Sequence, residues 1–181
     1  MPDPSLSSLT DQLWRLTDQG KEPHIYAILD AARDEQIYPA ILDSDNEYIC
    51  LYRGDQAIDL ADVAPYLVKL VRGDAFTNWL LTHGWGKSWG IFLASDAPFN
   101  ELRQHFRTFL MIYDDKGKPL YFRYYDPRVL RVYLPTCNES ELEKVFGDVS
   151  HFIIEDDGGN AMIRYARLMG QLTENRVRLI A

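Results

Sequence analysis

One glycine-rich segment has the residue types of a phosphate-binding loop. Gly84-Trp-Gly86-Lys-Ser88 ends as such loops end, with glycine, lysine and serine. The motif also needs a glycine five positions before Gly86, and Leu81 stands there. It further needs a helix after the lysine, so that backbone N–H groups point at the phosphate, whereas 87–93 has the character of a strand. We therefore predict that this segment ends a helix and leads into a buried strand, and that it binds no nucleotide.

Carboxylates, histidines and cysteines are the other residues with chemical potential. Asp43, Asp45 and Glu47 alternate as in a calcium loop, but the sixth position is Tyr48 instead of the required glycine. The segment 155–160 carries three carboxylates, which could contact a metal ion but are more typical of a solvated turn. The histidines are isolated, and the two cysteines have no local catalytic or zinc-binding motif. We expect no catalytic residue, no metal site and no cofactor, so we expect that the chain is not an enzyme.

Arginines and aromatic residues form the most informative candidate site. In a strand over 120–125, Arg123 and Tyr125 share a face, and in the helix that follows, Arg128 and Arg131 share another. These guanidinium groups could bind an acidic partner or pair with carboxylates of the same fold, and the spacing leaves both open. We add further candidates on the same grounds: Trp85 and Trp89, which flank the start of a strand and of which one is expected to be exposed, and Arg176 and Arg178 near the C-terminus.

Charge and hydropathy exclude several classes of protein. The 181 residues carry 19 Lys and Arg against 27 Asp and Glu, a net charge of -8, which disfavours binding to nucleic acid phosphates. No apolar run approaches the roughly 20 residues of a membrane span, so no membrane insertion is expected. The first residues have neither a basic segment nor an apolar stretch, so we expect no signal peptide and a cytoplasmic location without secretion.

Strand and helix patterns alternate along most of the chain. This order predicts the α/β (mixed α+β) class: a mixed sheet of six or seven strands with helices packed on it. One hairpin is expected near 108–125. The predicted strands are 24–29, 48–52, 64–71, 87–93, 108–113, 120–125 and 151–155. The predicted helices are 6–16, a short stretch before Leu42, 74–83 ended by Gly84, 98–107, one starting at Pro127, one from Asn138 to Gly147, and 161–169.

The length is that of one domain. We divide it into an N-terminal helix over 1–20, the main domain over 21–169 and a short basic tail over 170–181.

The run from Tyr124 to Pro135, YYDPRVLRVYLP, resembles the signature of the type VI secretion effector adaptors, a bacterial chaperone family also called Tap or TEC proteins. Other segments are similar in the same order. They are 26–33 (YAILDAAR), 38–42 (YPAIL), 64–70 (APYLVKL), 88–93 (SWGIFL) and 102–110. The resemblance covers about residues 24–155 and rests on the combination, since each piece alone is weak.

The resemblance implies a cytoplasmic adaptor that binds a type VI effector protein and helps to load it onto the VgrG spike protein. The family contributes no catalytic residues, in agreement with the search above. Two alternatives stay open. An immunity-type protein would bind one toxin and form no complex with the spike, and an enzyme would carry catalytic residues dispersed along the chain.

Overall fold

A computed structural model describes residues 5–15, 20–113 and 116–180. Its helices are α1 (Leu6–Leu13), α2 (Ile37–Leu42), α3 (Asp55–Asp59), α4 (Ala75–Gly84), α5 (Phe99–Thr108), α6 (Pro127–Tyr133) and α7 (Glu139–Phe146). Its strands are β1 (Ile25–Asp30), β2 (Tyr48–Cys50), β3 (Pro65–Lys69), β4 (Gly90–Ser95), β5 (Met111–Tyr113), β6 (Pro119–Tyr121), β7 (Val149–Glu155), β8 (Ala161–Leu168) and β9 (Gln171–Arg178). The predicted α+β class is confirmed. The helix expected over 6–16 is α1, and Leu16 lies outside the described residues.

Seven strands form one sheet in the order β2-β3-β1-β4-β7-β8-β9. Every pairing in the described part of this sheet is antiparallel, where the sequence pattern suggested a mixture of directions. The predicted hairpin is present as a separate two-stranded sheet of β5 and β6, with Met111 opposite Tyr121. Its strands are shorter than predicted, and β6 ends at Tyr121, so Arg123 and Tyr125 do not lie on a strand.

Both faces of the seven-stranded sheet are covered at its central strands, whereas the edge strand β9 is mostly exposed. Along β1, Ile25, Ala27 and Leu29 join one apolar cluster with α1, α2 and α4, whereas Tyr26 and Ile28 join the other. The second cluster contains the apolar side chains of α5, α6 and α7. Because successive side chains of a strand alternate between faces, a strand covered on both sides is apolar along most of its length, here up to the final residues Asp30 and Ser95. All six residues of β1 and of β4 are accordingly buried.

Polar caps begin several helices where the sequence predicted them. Asp74 caps α4 through the Thr77 N–H, and Asn138 with Glu141 forms a capping box at α7. At α4 the other end differs from the prediction. Gly84 is the last helical residue, and the left-handed conformation falls on Gly86 at φ 82°. Gly84 is needed for another reason, because a Cβ there would lie 2.6 Å from the Trp89 ring.

The final helix predicted over 161–169 is wrong, because this segment is strand β8. Its residues are apolar on both sides of the strand, with Met162 in one cluster and Ile163 in the other, so the pattern shows no clear period of two. The turn at Met169 and Gly170 then returns the chain into β9. The segment predicted as a basic tail therefore contains a strand of the main sheet. No helix in the described part of the chain is long and apolar enough to cross a membrane.

Candidate functional site

The arginine and aromatic candidates of the sequence all lie at one end of the large sheet. At this end β1 finishes with Asp30, β4 begins with Gly90 and β7 finishes with Glu155, as the antiparallel register requires. Arg178 lies opposite Ala161 at the same end. Hydrogen bonds and ion pairs hold the other candidates at the loops around these strand ends. They are Arg123, Tyr125, Arg128, Arg131, Arg176, Trp85 and Trp89. The prediction thus collected residues that are neighbours in space.

Two of the arginines pair with carboxylates that are almost fully buried. Arg123 donates to Asp30, whose side chain is 2% exposed. Arg128 donates through Nε and Nη2 to the two oxygens of Asp126, at 3.0 and 2.6 Å. Asp126 also accepts the Arg128 N–H and so caps α6. Burial alone would raise the pKa of the Asp126 carboxyl, but the hydrogen bonds from Arg128 lower it below its ordinary value.

The next two arginines hold the turn after β7. Arg131 donates to the Glu155 carbonyl at 3.2 Å and to the Asp157 carboxylate. Arg176, on β9, donates to Asp156 at 2.7 Å. We call Arg123, Arg128, Arg131 and Arg176 the paired arginine cluster. Of the two possibilities that the sequence left open for these side chains, pairing within the fold is the one observed. Arg178 is exposed and makes no ion pair with a described residue.

The aromatic candidates are used inside the fold. Trp85 and Trp89 are both buried, so the expectation that one of them is exposed is wrong. Trp85 donates through Nε1 to the Gly159 carbonyl at 2.8 Å, and Trp89 packs on Trp79 and under Lys87. Tyr125 is buried as well, and burial raises the pKa of its hydroxyl. These rings stabilise this end of the sheet because they fill the space between the loops.

The glycine-rich loop over 84–88, which has the residue types of a phosphate-binding loop, binds the carboxylate of Glu155 from the same chain. The Gly86 N–H donates to Oε2 of Glu155 at 2.6 Å, and the Ser88 N–H donates to Oε1 at 2.7 Å. Gly86 and Ser88 both have positive φ, which turns their N–H groups to one side. Burial raises the pKa of Glu155, and these hydrogen bonds act in the opposite direction.

A second surface, which was not predicted from the sequence, is formed by the β5–β6 hairpin. All six residues of its two strands are exposed, although most of them are apolar. Met111, Ile112 and Leu120 are 37 to 43% exposed, Tyr121 is 52% and Tyr113 is 69%. The sequence contains one indication of this surface, which is the run of apolar residues in both strands of the predicted hairpin. Such a run is equally typical of a buried strand, so the pattern alone does not indicate that the hairpin is exposed.

A cleft of about 360 Å³ lies between this hairpin, α3 and the end of α5. We call it the hairpin cleft. It is lined by Leu51, Tyr52, Arg53, Gln56, Arg107, Thr108, Leu110, Met111 and Tyr121. Arg107 donates through Nε and Nη2 to the carbonyls of residues 50–52, at 2.8 to 3.1 Å. Arg53 and Arg107 both line the cleft, and Arg103 lies one helical turn before Arg107 on α5. Burial and the charges of Arg103 and Arg53 lower the pKa of the Arg107 guanidinium.

The protein is of the α+β class and has an antiparallel sheet whose central strands are covered on both faces. Its relationship to known proteins was compared at the level of protein families, curated proteins and solved structures. The chain belongs to the family described as Domain of unknown function (DUF4123), whose model matches residues 25–144, about two thirds of the chain. No curated protein and no solved structure is significantly similar to the chain. Within 5–15, 20–113 and 116–180, no group of three or more His, Cys, Asp or Glu is placed to hold a metal ion.

Proposed function

We propose that the chain is a non-catalytic cytoplasmic adaptor, which binds a type VI secretion effector protein and helps to load it onto the VgrG spike. The observation that carries this proposal is the exposed apolar hairpin of β5 and β6. The sequence resemblance supports it, since the run from Tyr124 to Pro135 lies inside the region that matches the family. This run forms the start and body of α6, which carries Arg128 and Arg131 of the paired arginine cluster.

The hairpin has the properties of a protein-binding surface. Soluble proteins bury most of their large apolar side chains, and a contiguous exposed group of them marks a site of association. Here Met111 pairs with Tyr121 and Ile112 pairs with Leu120 across the two strands, so each face of the hairpin carries an exposed apolar pair. Aromatic residues and methionine are enriched at the centres of interfaces, and the hairpin contains both. An adaptor that carries a partner without altering it needs such a surface and no reactive group.

The test is reconstitution of the loading complex. The tagged chain is co-expressed with the candidate effector and the VgrG protein encoded beside it, in pairs and together. Captured complexes are then sized by light scattering. The proposal predicts that the chain and the effector co-elute, and that VgrG is recovered in larger amounts when the effector is present than when it is absent.

A matched pair of variants links the result to the hairpin. The test variant replaces Ile112 and Leu120 by serine, and the control replaces Leu168 and Ile180, which are exposed at 63% and 74% elsewhere. We expect the test variant to lose the effector and the control to keep it, with both chains retaining native circular dichroism. The proposal is wrong if the chain captures no effector. It is also wrong if the chain binds a toxin, abolishes its activity and never joins VgrG, which is the behaviour of an immunity protein.

A further inference from the structure

We propose that the hairpin cleft binds an acidic, partly apolar peptide segment of the partner protein, with a carboxylate at the cleft arginines and an apolar side chain against the hairpin. This inference rests on the proposed function and adds the chemistry of the segment that is recognised. The anchoring residues are Arg53 and Arg107 for the carboxylate, and Met111 and Tyr121 for the apolar side chain. Arg103, on the neighbouring turn of α5, adds a third positive charge.

The charges of the cleft are not neutralised within the described residues. None of the residues lining it is acidic, and no carboxylate of the described chain forms an ion pair with Arg53, Arg103 or Arg107. The hydrogen bonds that Arg107 donates go to neutral backbone carbonyls. The Nε of Arg103 is buried without a hydrogen-bond partner among the described residues. In a chain of net charge -8, three neighbouring guanidinium groups that form no ion pair with a described carboxylate complement an acidic ligand.

Arg107 is held in place before any ligand arrives. Its Nε and Nη2 are fixed by the carbonyls of Cys50, Leu51 and Tyr52, whereas its Nη1 makes no hydrogen bond with a described residue. A side chain that is already ordered loses little conformational entropy on binding, so the affinity gained per contact is greater. Arg53 is exposed on the rim of the cleft, where its guanidinium group adds a second positive charge to that of Arg107.

The apolar wall of the cleft is formed by a cross-strand pair. Met111 lies opposite Tyr121, and the Tyr121 hydroxyl accepts a hydrogen bond from Gln56 at 2.9 Å. The Tyr121 ring also lies 6.1 Å from the ring of Tyr52, between centroids. These contacts orient Tyr121 along the cleft, while half of its surface stays accessible. A methionine beside an oriented tyrosine accommodates aliphatic and aromatic side chains.

The size of the cleft and its surroundings favour a peptide over a small free anion. A volume of about 360 Å³ is near the lower limit of ligand pockets and accepts one or two side chains. The apolar surface continues outside the cleft over Tyr113, which is 69% exposed and lies two residues from Met111, on the same face of β5. A ligand that covers both parts must be longer than the cleft, as a peptide segment is.

Peptides that bind the immobilised full chain are selected from a random dodecapeptide phage library. The affinities of the enriched peptides are then measured by fluorescence anisotropy. We expect the enriched peptides to carry Asp or Glu next to an aromatic or aliphatic residue. The test variant is Arg53→Glu with Arg103→Gln. The control variant is Arg167→Glu with Arg15→Gln, which makes the same change of charge at exposed arginines that form no ion pair with described residues.

We expect the test variant to weaken peptide binding about tenfold or more, because this is the effect of losing one charge-assisted hydrogen bond. The control variant should change the affinity by less than about twofold. The inference is overturned if no peptide is enriched, if the peptides lack carboxylates, or if both variants weaken binding equally. It is also overturned if inorganic phosphate, added at constant ionic strength, displaces the peptides at a concentration similar to their own.

The two proposals fail in different ways. If the effector and VgrG are captured normally by the Arg53→Glu, Arg103→Gln variant, the cleft is not the recognition site and the adaptor function stands. If acidic peptides bind the cleft but no complex with VgrG forms, the cleft recognises acidic segments and the adaptor function falls.

Discussion

The paired arginine cluster and the hairpin cleft both contain several guanidinium groups, but they differ in what faces those groups. In the cluster each arginine meets a carboxylate of the same chain, and two of those carboxylates are nearly inaccessible. In the cleft the arginines meet backbone carbonyls or no described partner. A buried carboxylate needs its cation, so the cluster stabilises the fold. An arginine without a carboxylate keeps its charge available to a ligand, so the cleft is the region suited to recognition.

The largest effect we predict comes from Gly159→Ala, at the turn held by Trp85 and the cluster. Gly159 has φ +67°, and a Cβ there would lie 2.9 Å from the Gly86 Cα. We expect the free energy of unfolding to fall by about 3 kcal/mol, from left-handed strain and overpacking together. Gly117→Ala is the control in the hairpin, where φ is +75° and nothing lies within 4 Å. It should cost about 1 kcal/mol. If urea denaturation shows the same loss of unfolding free energy for both variants, the turn at Gly159 is not closely packed as described.

Asp126→Ala should have the next largest effect. It removes the cap of α6 and the partner of Arg128 at once, so we expect a loss of about 2 kcal/mol in the free energy of unfolding. Asp55→Ala, at the exposed start of α3 beside the cleft, is the comparison. It should change stability by less than about 0.5 kcal/mol. If the two variants are equally stable, the cluster does not support the fold as described.

The same carboxylate predicts a dependence on pH. The pKa of Asp126 is lower in the folded chain than its ordinary value, so its contribution is present at neutral pH and is lost as the pH falls through the folded pKa. Asp126→Asn keeps an acceptor for the cap but removes the charge. We expect the stability gap between the wild type and this variant to be greatest near pH 7 and to narrow below about pH 4. Chemical denaturation across this range measures the gap, and a gap that widens towards acid has the wrong sign.

The smallest predicted effect on stability is in the cleft. Arg53 is exposed and forms no ion pair with a described residue, so Arg53→Gln should shift the free energy of unfolding by less than about 0.5 kcal/mol. The thermal midpoint should therefore be that of the wild type. A loss above about 1 kcal/mol would show that Arg53 has a structural role and would remove the contrast between the two regions.

Local patterns predicted much of the fold because they act over a few residues. The helices predicted over 74–83 and 98–107 and those predicted to start at Pro127 and Asn138 are confirmed. Strand β8 was not predicted, since the identity of 161–168 depends on pairing with β7 on one side and β9 on the other, and β9 was not recognised as a strand. A strand buried on both faces loses the alternation that would distinguish it from a helix.

The candidate residues of the sequence are neighbours in the fold, but their contacts were not predictable. Arg128 and Arg131 pair with Asp126 and Asp157, and spacing alone could not assign these carboxylate partners. The hairpin cleft was missed because its residues come from three separate segments that only the fold brings together. The spacing of Arg53 and Arg107 in the sequence carries no sign of their proximity.

The most direct test of the contrast compares two double variants in the same two assays. Arg53→Glu with Arg103→Gln alters the cleft, and Arg128→Glu with Arg131→Glu alters the cluster. Each variant is measured for its thermal unfolding midpoint and for effector capture from co-expressing cells. We predict that the cleft variant keeps the wild-type midpoint and loses the effector, while the cluster variant unfolds at a clearly lower temperature. A cleft variant that captures the effector normally, with a cluster variant that stays folded and captures none, would contradict the account.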